Sequence, residues 1–418
     1  MKTTYFLLIF LLFGSLQTAF ATDPHEEGHD TKESPVDAML HHIADGNEFH
    51  IFGEYSIPLP CIAWSSDGGF MFALSSTFEH GHKAYNGYTL HHGKLMRVNN
   101  ANFPQGLVEI SAGHAVKAHG TAEGHDHQTV SPDGVHTPVV DELKDEKQHG
   151  AAVSYNGTVY NLEDGKALQN PGTSWIDFSI TKNVFTMILA LIILVILFSK
   201  VSKAYTTRGV AAPKGVQSLM EPLLIFMRDE VVRPSLGKDW QKFFPYIMCL
   251  FFFILIVNLL GLVPFFPGSA NVSGNVGFTL VMAVSVFLVV NLSGNKDYWL
   301  HVLWMPGVPI GVKPLMTVIE VVGLFMKPIT LMIRLFANIT AGHIIILSLV
   351  SLIFFFNEAG GVPAGVAGMG LAVPFVFALN MLELFVAFLQ AFVFSLLASL
   401  YISSAIEEHH HDHEVEPM

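Results

Sequence analysis

Charge is scarce in this chain. Of its 418 residues only 14% are Asp, Glu, Lys or Arg, while 51% are hydrophobic. Mean hydropathy is +0.46. That balance excludes an ordinary soluble globular protein and points to an integral membrane protein. Cysteine is scarcer still, with Cys61 and Cys249 the two in the chain. Cys61 falls in a polar segment and Cys249 in an apolar run, so no disulfide is expected. The chain has no glycine-rich phosphate loop ending in Lys-Ser or Lys-Thr, so nucleotide binding has no carrier here and no cofactor is expected. The net charge of -13 gives no footing to a nucleic-acid partner.

What the chain does have is unevenly placed. The opening MKTTYFLLIFLLFGSLQTAFATD carries Lys2, a short apolar core from Tyr5 to Phe13 and the small-residue site Ala19-Phe20-Ala21. This reads as a secretory signal peptide over residues 1–21, with a first transmembrane helix as the competing reading. Residues 22–175 are polar, acidic and His-rich and form the expected exported domain. Within 47–165, EFHIFGEYSI, GGFMFALSSTF, GYTLHHGKLMRV and AAVSYNGTVYNL alternate and are split by Gly, Asn and Asp. That pattern predicts a small β-rich domain, interrupted by the polar loop KAHGTAEGHDHQTVSPDGVHTP.

The membrane domain is expected over 176–409, followed by a His-rich acidic tail at 410–418. Five apolar segments are expected: Val184 to Val201, Phe244 to Phe265, Val276 to Leu292, Leu315 to Phe356 and Val373 to Ile406. About 20 residues suffice to span a bilayer, so the last two are overlong and must tilt, bend or lie partly along the membrane. Pro328 is the expected bend, and 357–372 the expected loop. The fold class is thus an all-α polytopic membrane protein ending in a long tilted helical hairpin, plus the β-rich exported domain. Eight Lys and Arg lie between the first two segments and Lys296 and Lys313 between the next pair, whereas 266–275 and 357–372 have none. The positive-inside rule puts the basic loops and the C-terminal tail in the cytoplasm. The signal peptide independently puts the N-terminal domain outside. In the first basic loop, Leu219, Leu223, Phe226, Met227 and Val231 are spaced for one helical face, as in a helix lying on the membrane surface.

Ionisable groups inside apolar segments are the strongest functional signal. Segment four carries Glu320, Lys327, Arg334, Asn338 and His343, and segment five carries Glu383 and Gln390. An Arg at the bilayer centre costs about 2.5–3.5 kcal/mol on insertion scales, so water or a partner must offset it. In an antiparallel hairpin, facing residue numbers add to a constant. His343 with Glu383 gives 726 and Arg334 with Gln390 gives 724, so the two pairs fit one register. Glu383 and Gln390, seven apart, share a face; Arg334 and Asn338, four apart, share another; Arg334 and His343, nine apart, point nearly opposite ways. A carboxylate beside an imidazole suits proton relay. Arg stays protonated and can instead bind a carboxylate and hold it ionised. The competing reading is a structural ion pair between helices.

The run KPITLMIRLFANITAGH closely resembles the signature of subunit a of F-type ATP synthases, the membrane stator beside the rotating c-ring. LQAFVFSLLASLYISSAIEEH resembles that family's last helix, and NLLGLVPFFPG with NVGFTLVMAVSVFLV its earlier segments. The resemblance covers roughly 175–409. It implies that Arg334 is the family's essential arginine and Asn338 the Asn that follows it. It implies further that His343 and Glu383 are the polar pair of an outer proton half-channel, that Gln390 lies near the arginine, and that Glu320 serves a cytoplasmic half-channel. The implied protein is non-catalytic, sits in the cell inner membrane with a periplasmic N-terminal domain, and works with the c-ring, the peripheral-stalk b subunits and lipid. The coupling ion is expected to be the proton. The signal peptide and exported domain are additions to the family core.

Fifteen of the 21 His lie in residues 22–175. They raise a second reading, a metal-cation transporter with a His-rich capture domain. The pairs are scattered and the membrane region offers His343 and the loop His301 alone, so solvated loop histidines are the favoured explanation.

Overall fold

The computed structural model describes residues 45–52, 55–66, 68–91, 93–98, 100, 103–114, 151–156, 158–164, 175–209, 212–263, 266–268, 270–305 and 309–406. The signal-peptide reading, the polar loop from Lys117, most of the His pairs and the C-terminal tail fall outside these residues.

The N-terminal part is β-rich, as the alternation predicts. Strands β1 (Glu48–Phe52) and β2 (Tyr55–Pro58) form a hairpin. β3 (Pro60–Ser65) lies between β4 (Gly69–Leu74) and β12 (Trp175–Asp177) in a three-stranded antiparallel sheet. β5 (Lys83–Tyr85), β6 (Tyr88–His91), β7 (Lys94–Val98), β8 (Leu107–Glu109), β9 (Ser111–His114), β10 (Ala151–Tyr155) and β11 (Thr158–Asp164) form a seven-stranded antiparallel sheet in the order β8-β5-β6-β7-β11-β10-β9. Its β5–β6 hairpin turns on Asn86-Gly87, both at positive φ (51° and 79°), the pairing that a two-residue mirror-image turn selects. Cys61, Ala63, Met71, Phe78, Leu90 and Trp175 meet in one buried cluster, with Trp175 edge-on to Tyr88.

The helical part carries five stretches long and apolar enough to cross a membrane. Helix α1 spans Lys182–Arg208, with Thr181 accepting the Val184 N–H as its N-cap and Gly209 ending it at positive φ. The second stretch, Val216–Gly261, opens with α2 (Val216–Phe226) and a wide π turn (Met227–Val232). The short α3 (Arg233–Leu236) leads on to α4 (Trp240–Gly261). Helix α5 is Val276–Ser293, capped by Asn275, whose side chain accepts the Gly277 and Phe278 N–H groups. The short α6 (Lys296–Leu303) precedes α7 (Lys313–Asn357) and α8 (Gly360–Ile406).

Two sequence expectations change. Helix α8 starts at Gly360, so most of the expected loop 357–372 is helix. Gly365 and Gly368 of that helix serve close packing: a Cβ on Gly368 would come within 2.7 Å of the Phe356 ring, and one on Gly365 within 3.0 Å of Asn357. Reversal happens at Gly361, where φ is 69° and ψ is -170°. The helix runs on through Pro328 with helical dihedrals, and Gly361 is the one residue of Lys313–Ile406 that leaves them. In this second stretch the buried residues include Met220 of α2 with Met227 and Val231 of the π turn, while Leu219 and Phe226 stay exposed, so the buried face is not the one expected.

Helix α4 is the helical core. Its residues from Ile247 to Val257 are buried almost without break, aside from Cys249. Against it pack α1, α5 and the small-residue face of α8, made by Ala391, Ala398 and Ala405 with Phe394 and Ile402. Asn295 fastens the end of α8, its backbone N–H donating to the Ala405 carbonyl and its side chain to that of Ile406.

Candidate functional site

The polar residues of the hairpin are positioned by two buried stripes. On α7, Leu331, Leu335 and Ile339 recur every four residues and are buried, which fixes the rotation of that helix. Arg334 and Asn338 sit on the neighbouring face. On α8 the buried line runs through Glu383, Ala387, Gln390, Ala391 and Phe394. Glu383 and Gln390 are therefore held inside on the same face that packs the helix.

The structure brings His343 and Glu383 together, with Nδ1 3.0 Å from Oε1. Glu383 is only 4% exposed. The approach is within ion-pair distance but off the line of a hydrogen bond, and Oε1 has no aligned donor. Gly342 explains how the carboxylate fits: a Cβ there would lie 2.8 Å from Glu383 Oε1. The register argument is right for this layer.

The second layer differs from expectation. Gln390 pairs with Asn338, whose Nδ2 donates to Oε1 at 2.9 Å, and not with Arg334. The facing sum thus grows from 726 to 728 between the layers, and the four-residue step carries the contact from Arg334 to Asn338. Arg334 is half-buried and makes no hydrogen bond or ion pair among the described residues. It stands one helical turn from the Asn338–Gln390 pair. His343 lies nine residues on, about 13 Å along the axis and on the other side of α7.

Glu320 is not part of this cluster. It is 14 residues before Arg334, about 21 Å of helix. Its electrostatic neighbour is Tyr298 on α6, whose hydroxyl is pushed up first by burial and then by the Glu320 charge. Between Glu320 and Arg334, the Lys327 ammonium sits 5.5 Å from the Tyr401 ring centre.

Sequence reasoning missed Asn258. This residue of α4 is buried, donates to the Ala387 carbonyl at 3.2 Å and accepts from Ser273 Oγ at 2.5 Å. It joins the loop after α4 to α8 one turn from Glu383. The signal available was an Asn inside the run ILIVNLLG. Among the described residues, no three His, Cys, Asp or Glu side chains gather as a metal site.

A sequence profile described as ATP synthase A chain matches residues 184–403. A second, described only as a domain of unknown function, matches residues 38–117. The ATP synthase subunit a of Chlorobium phaeobacteroides strain BS1 is 35% identical over 325 residues, covering 72% of this chain and 90% of that protein. The ATP synthase subunit a 2 of Chlorobaculum tepidum is 40% identical over 255 residues, covering 57% and 67%. The ATP synthase subunit a of Pelodictyon phaeoclathratiforme is 39% identical over 260 residues, covering 58% and 71%.

Proposed function

The chain belongs to the ATP synthase A chain family, and from that premise we propose that it is the stator that guides protons past the c-ring. In this reading protons enter from the outer side through a half-channel lined by Glu383 and His343. They neutralise a carboxylate on the ring, which then faces lipid as the ring turns. An arriving ring carboxylate releases its proton beside Arg334, because a facing cation favours the charged form. The proton leaves on the cytoplasmic side, with Glu320 on that path. Arg334 also blocks direct passage between the two half-channels. Asn338 and Gln390 hold the faces of α7 and α8 in register beside it. The membrane potential supplies about 2.3 kcal/mol per charge per 100 mV. That work reaches a catalytic head on other chains, where the peripheral-stalk b subunits brace the stator. The N-terminal domain would then be periplasmic and the tail cytoplasmic, with the chain in the cell inner membrane.

The observation that carries the reading is the pairing of a buried carboxylate with His343 and of Gln390 with Asn338 across one hairpin, with a half-buried Arg334 beside them. A transporter for metal cations would call for a cluster of three or more ligands, and no such group of His, Cys, Asp or Glu forms among the described residues. The test is ATP-driven proton pumping in inverted vesicles carrying Arg334→Ala, with assembly of the complex followed in parallel. Loss of pumping in an assembled complex is the expected result. Pumping at the normal rate would leave Arg334 a structural residue and remove the centre of the proposal.

A further inference from the structure

The outward face of the three-stranded sheet is apolar from end to end. Trp64, Phe70, Phe72, Leu74 and Phe178 all project from it, with Phe70 78%, Phe72 66% and Phe178 53% exposed. Cross-strand pairing sets them in rows: Trp64 opposite Phe70, and Ile62 opposite Phe72. The Phe178 N–H donates to the Ile62 carbonyl, which puts Phe178 in the second row. The other face of this sheet already packs on the buried cluster around Trp175 and Cys61. An antiparallel sheet that buries one face ordinarily keeps the other polar. A contiguous aromatic face of this kind marks a docking surface.

What it docks on follows from where the sheet sits. The extended chain from β12 continues as far as Ile180, whose N–H donates to the Pro60 carbonyl, and two residues later α1 begins at Lys182. Phe178 is therefore at most about 13 Å of chain from the start of a membrane-crossing helix. Leu59, just before β3, and Phe49 of β1 are in the helical cluster itself, buried with the residues of α1 and α4. Phe49 stacks edge-on against Phe185 of α1 at 5.5 Å and against Phe266 of the loop after α4 at 5.3 Å. The Pro60–Ile180 end of the sheet thus adjoins the N-terminal end of α1, with Phe178 of the apolar face two residues from Ile180. The lipid-side residues of α1, Ile188, Ile192 and Ile196, are exposed as well. Aromatic rings, Trp above all, settle at the level of lipid headgroups.

We propose that this sheet face rests on the bilayer surface at the N-terminal end of α1, so that the β-domain is held to the membrane by lipid contact as well as by its own chain. The inference stands on the fold and not on the proton pathway. It is tested with a nitroxide label at Phe72→Cys in the whole complex in liposomes, where Cys61 is buried and Cys249 lies inside α4. Collision with oxygen and with a water-soluble nickel chelate is then read by power saturation. A label at Glu109→Cys, exposed on the other sheet, provides the aqueous reference, and Phe178→Cys a second site on the face. Loss of nickel collisions with gain of oxygen collisions at both Phe72 and Phe178 is the expected result. Nickel access equal to that at Glu109 overturns the proposal by placing the face in water. Shielding from both reagents overturns it too, by showing that protein covers the face. Proton pumping by the labelled complex stays normal in every case, which separates failure here from failure of the stator reading.

Discussion

Two acid–base pairs in this chain use similar groups to opposite ends. Asp45 lies beside Lys182 at the junction of the β-domain with α1. Its Oδ1 accepts the Gly46 N–H at 3.0 Å and the Asn183 N–H at 3.2 Å, and Thr181 adds a side-chain bond. Two of these three donors come from the start of α1, at Thr181 and Asn183, which suits a carboxylate at a positive dipole end. Glu383 beside His343 has the reverse character. It is buried between two helices, yet one of its oxygens has no aligned donor. A carboxylate held by three donors at a helix start is a fastener. One left partly bonded next to an imidazole has room to exchange a proton.

The sharpest way to break this comparison is to neutralise both carboxylates. Glu383→Gln keeps the shape but removes the titrating oxygen, and ATP-driven pumping is expected to fall on the order of 100-fold, the range for losing a positioned proton-transfer group. Asp45→Asn in the same assay is expected to leave pumping unchanged. Equal losses from the two would show that the Asp45 site also carries protons. The Asp45 effect belongs to stability instead. Asp45→Ala leaves Lys182 buried without that carboxylate, and breaking such a pair costs about 3 kcal/mol. The loss is measured by faster hydrogen exchange at Asn183 and Phe185. Burial is the chief influence on the Asp45 carboxyl and pushes it up, while Lys182 and the three donors pull it down. The net shift is upward from 3.8, so the folded junction holds this proton more tightly than the unfolded chain does. The junction is therefore expected to weaken as pH rises above 3.8. Asp45→Asn should flatten that dependence, once exchange is corrected for its intrinsic pH effect.

These two pairs were not equally legible beforehand. His343 and Glu383 could be read because a helical hairpin has arithmetic: seven- and nine-residue spacings fix faces, and a constant sum fixes register. The error was of one turn, giving Gln390 to Arg334 instead of Asn338, since residue numbers do not report how helices rotate about their axes. The turn at Gly361 falls inside the expected loop, which was drawn too long because AGGVPAGVAGMG looks like a breaker. Gly365 and Gly368 of α8 are there for close approach to α7, and composition cannot separate that use from a loop. Asp45 and Lys182 were invisible, because they meet through a strand that leaves the junction at Glu48 and returns as β12 more than a hundred residues later. Strands set off by Gly or Asn, such as β6–β7 and β10–β11, were clear, while β3, β5, β8, β9 and β12 were short or lacked alternation.

Gly342 sharpens the comparison at smaller cost. Gly342→Ala would set a methyl 2.8 Å from Glu383 Oε1. The carboxylate must shift by a few tenths of an ångström while its charge and the His343 ring are kept. Overpacking of this kind costs roughly 1–3 kcal/mol. Pumping should drop several-fold, well short of the Glu383→Gln loss, with the complex intact. An unchanged rate would mean that the exact position of that carboxylate does not matter, and with it the short contact to His343.

The smallest effect concerns Cys61, which tests whether the β-domain is as closed as its cluster suggests. The thiol is fully buried, receives the Asn47 Nδ2 donor at 3.6 Å, and is pushed up to about 12, chiefly by burial and then by the Asp177 charge. The thiolate is the reactive form, so near neutral pH this side chain is shut off twice, by access and by protonation. Iodoacetamide should leave Cys61 unmodified in the native complex and label it once the domain unfolds. Because Asp45→Ala loosens the junction without touching the cluster of Cys61, Ala63 and Trp175, the same reagent should remain excluded in that variant. Labelling in the variant would show that fastening the domain to α1 is what holds its core together, and would make the Asp45 pair a determinant of the whole domain's fold.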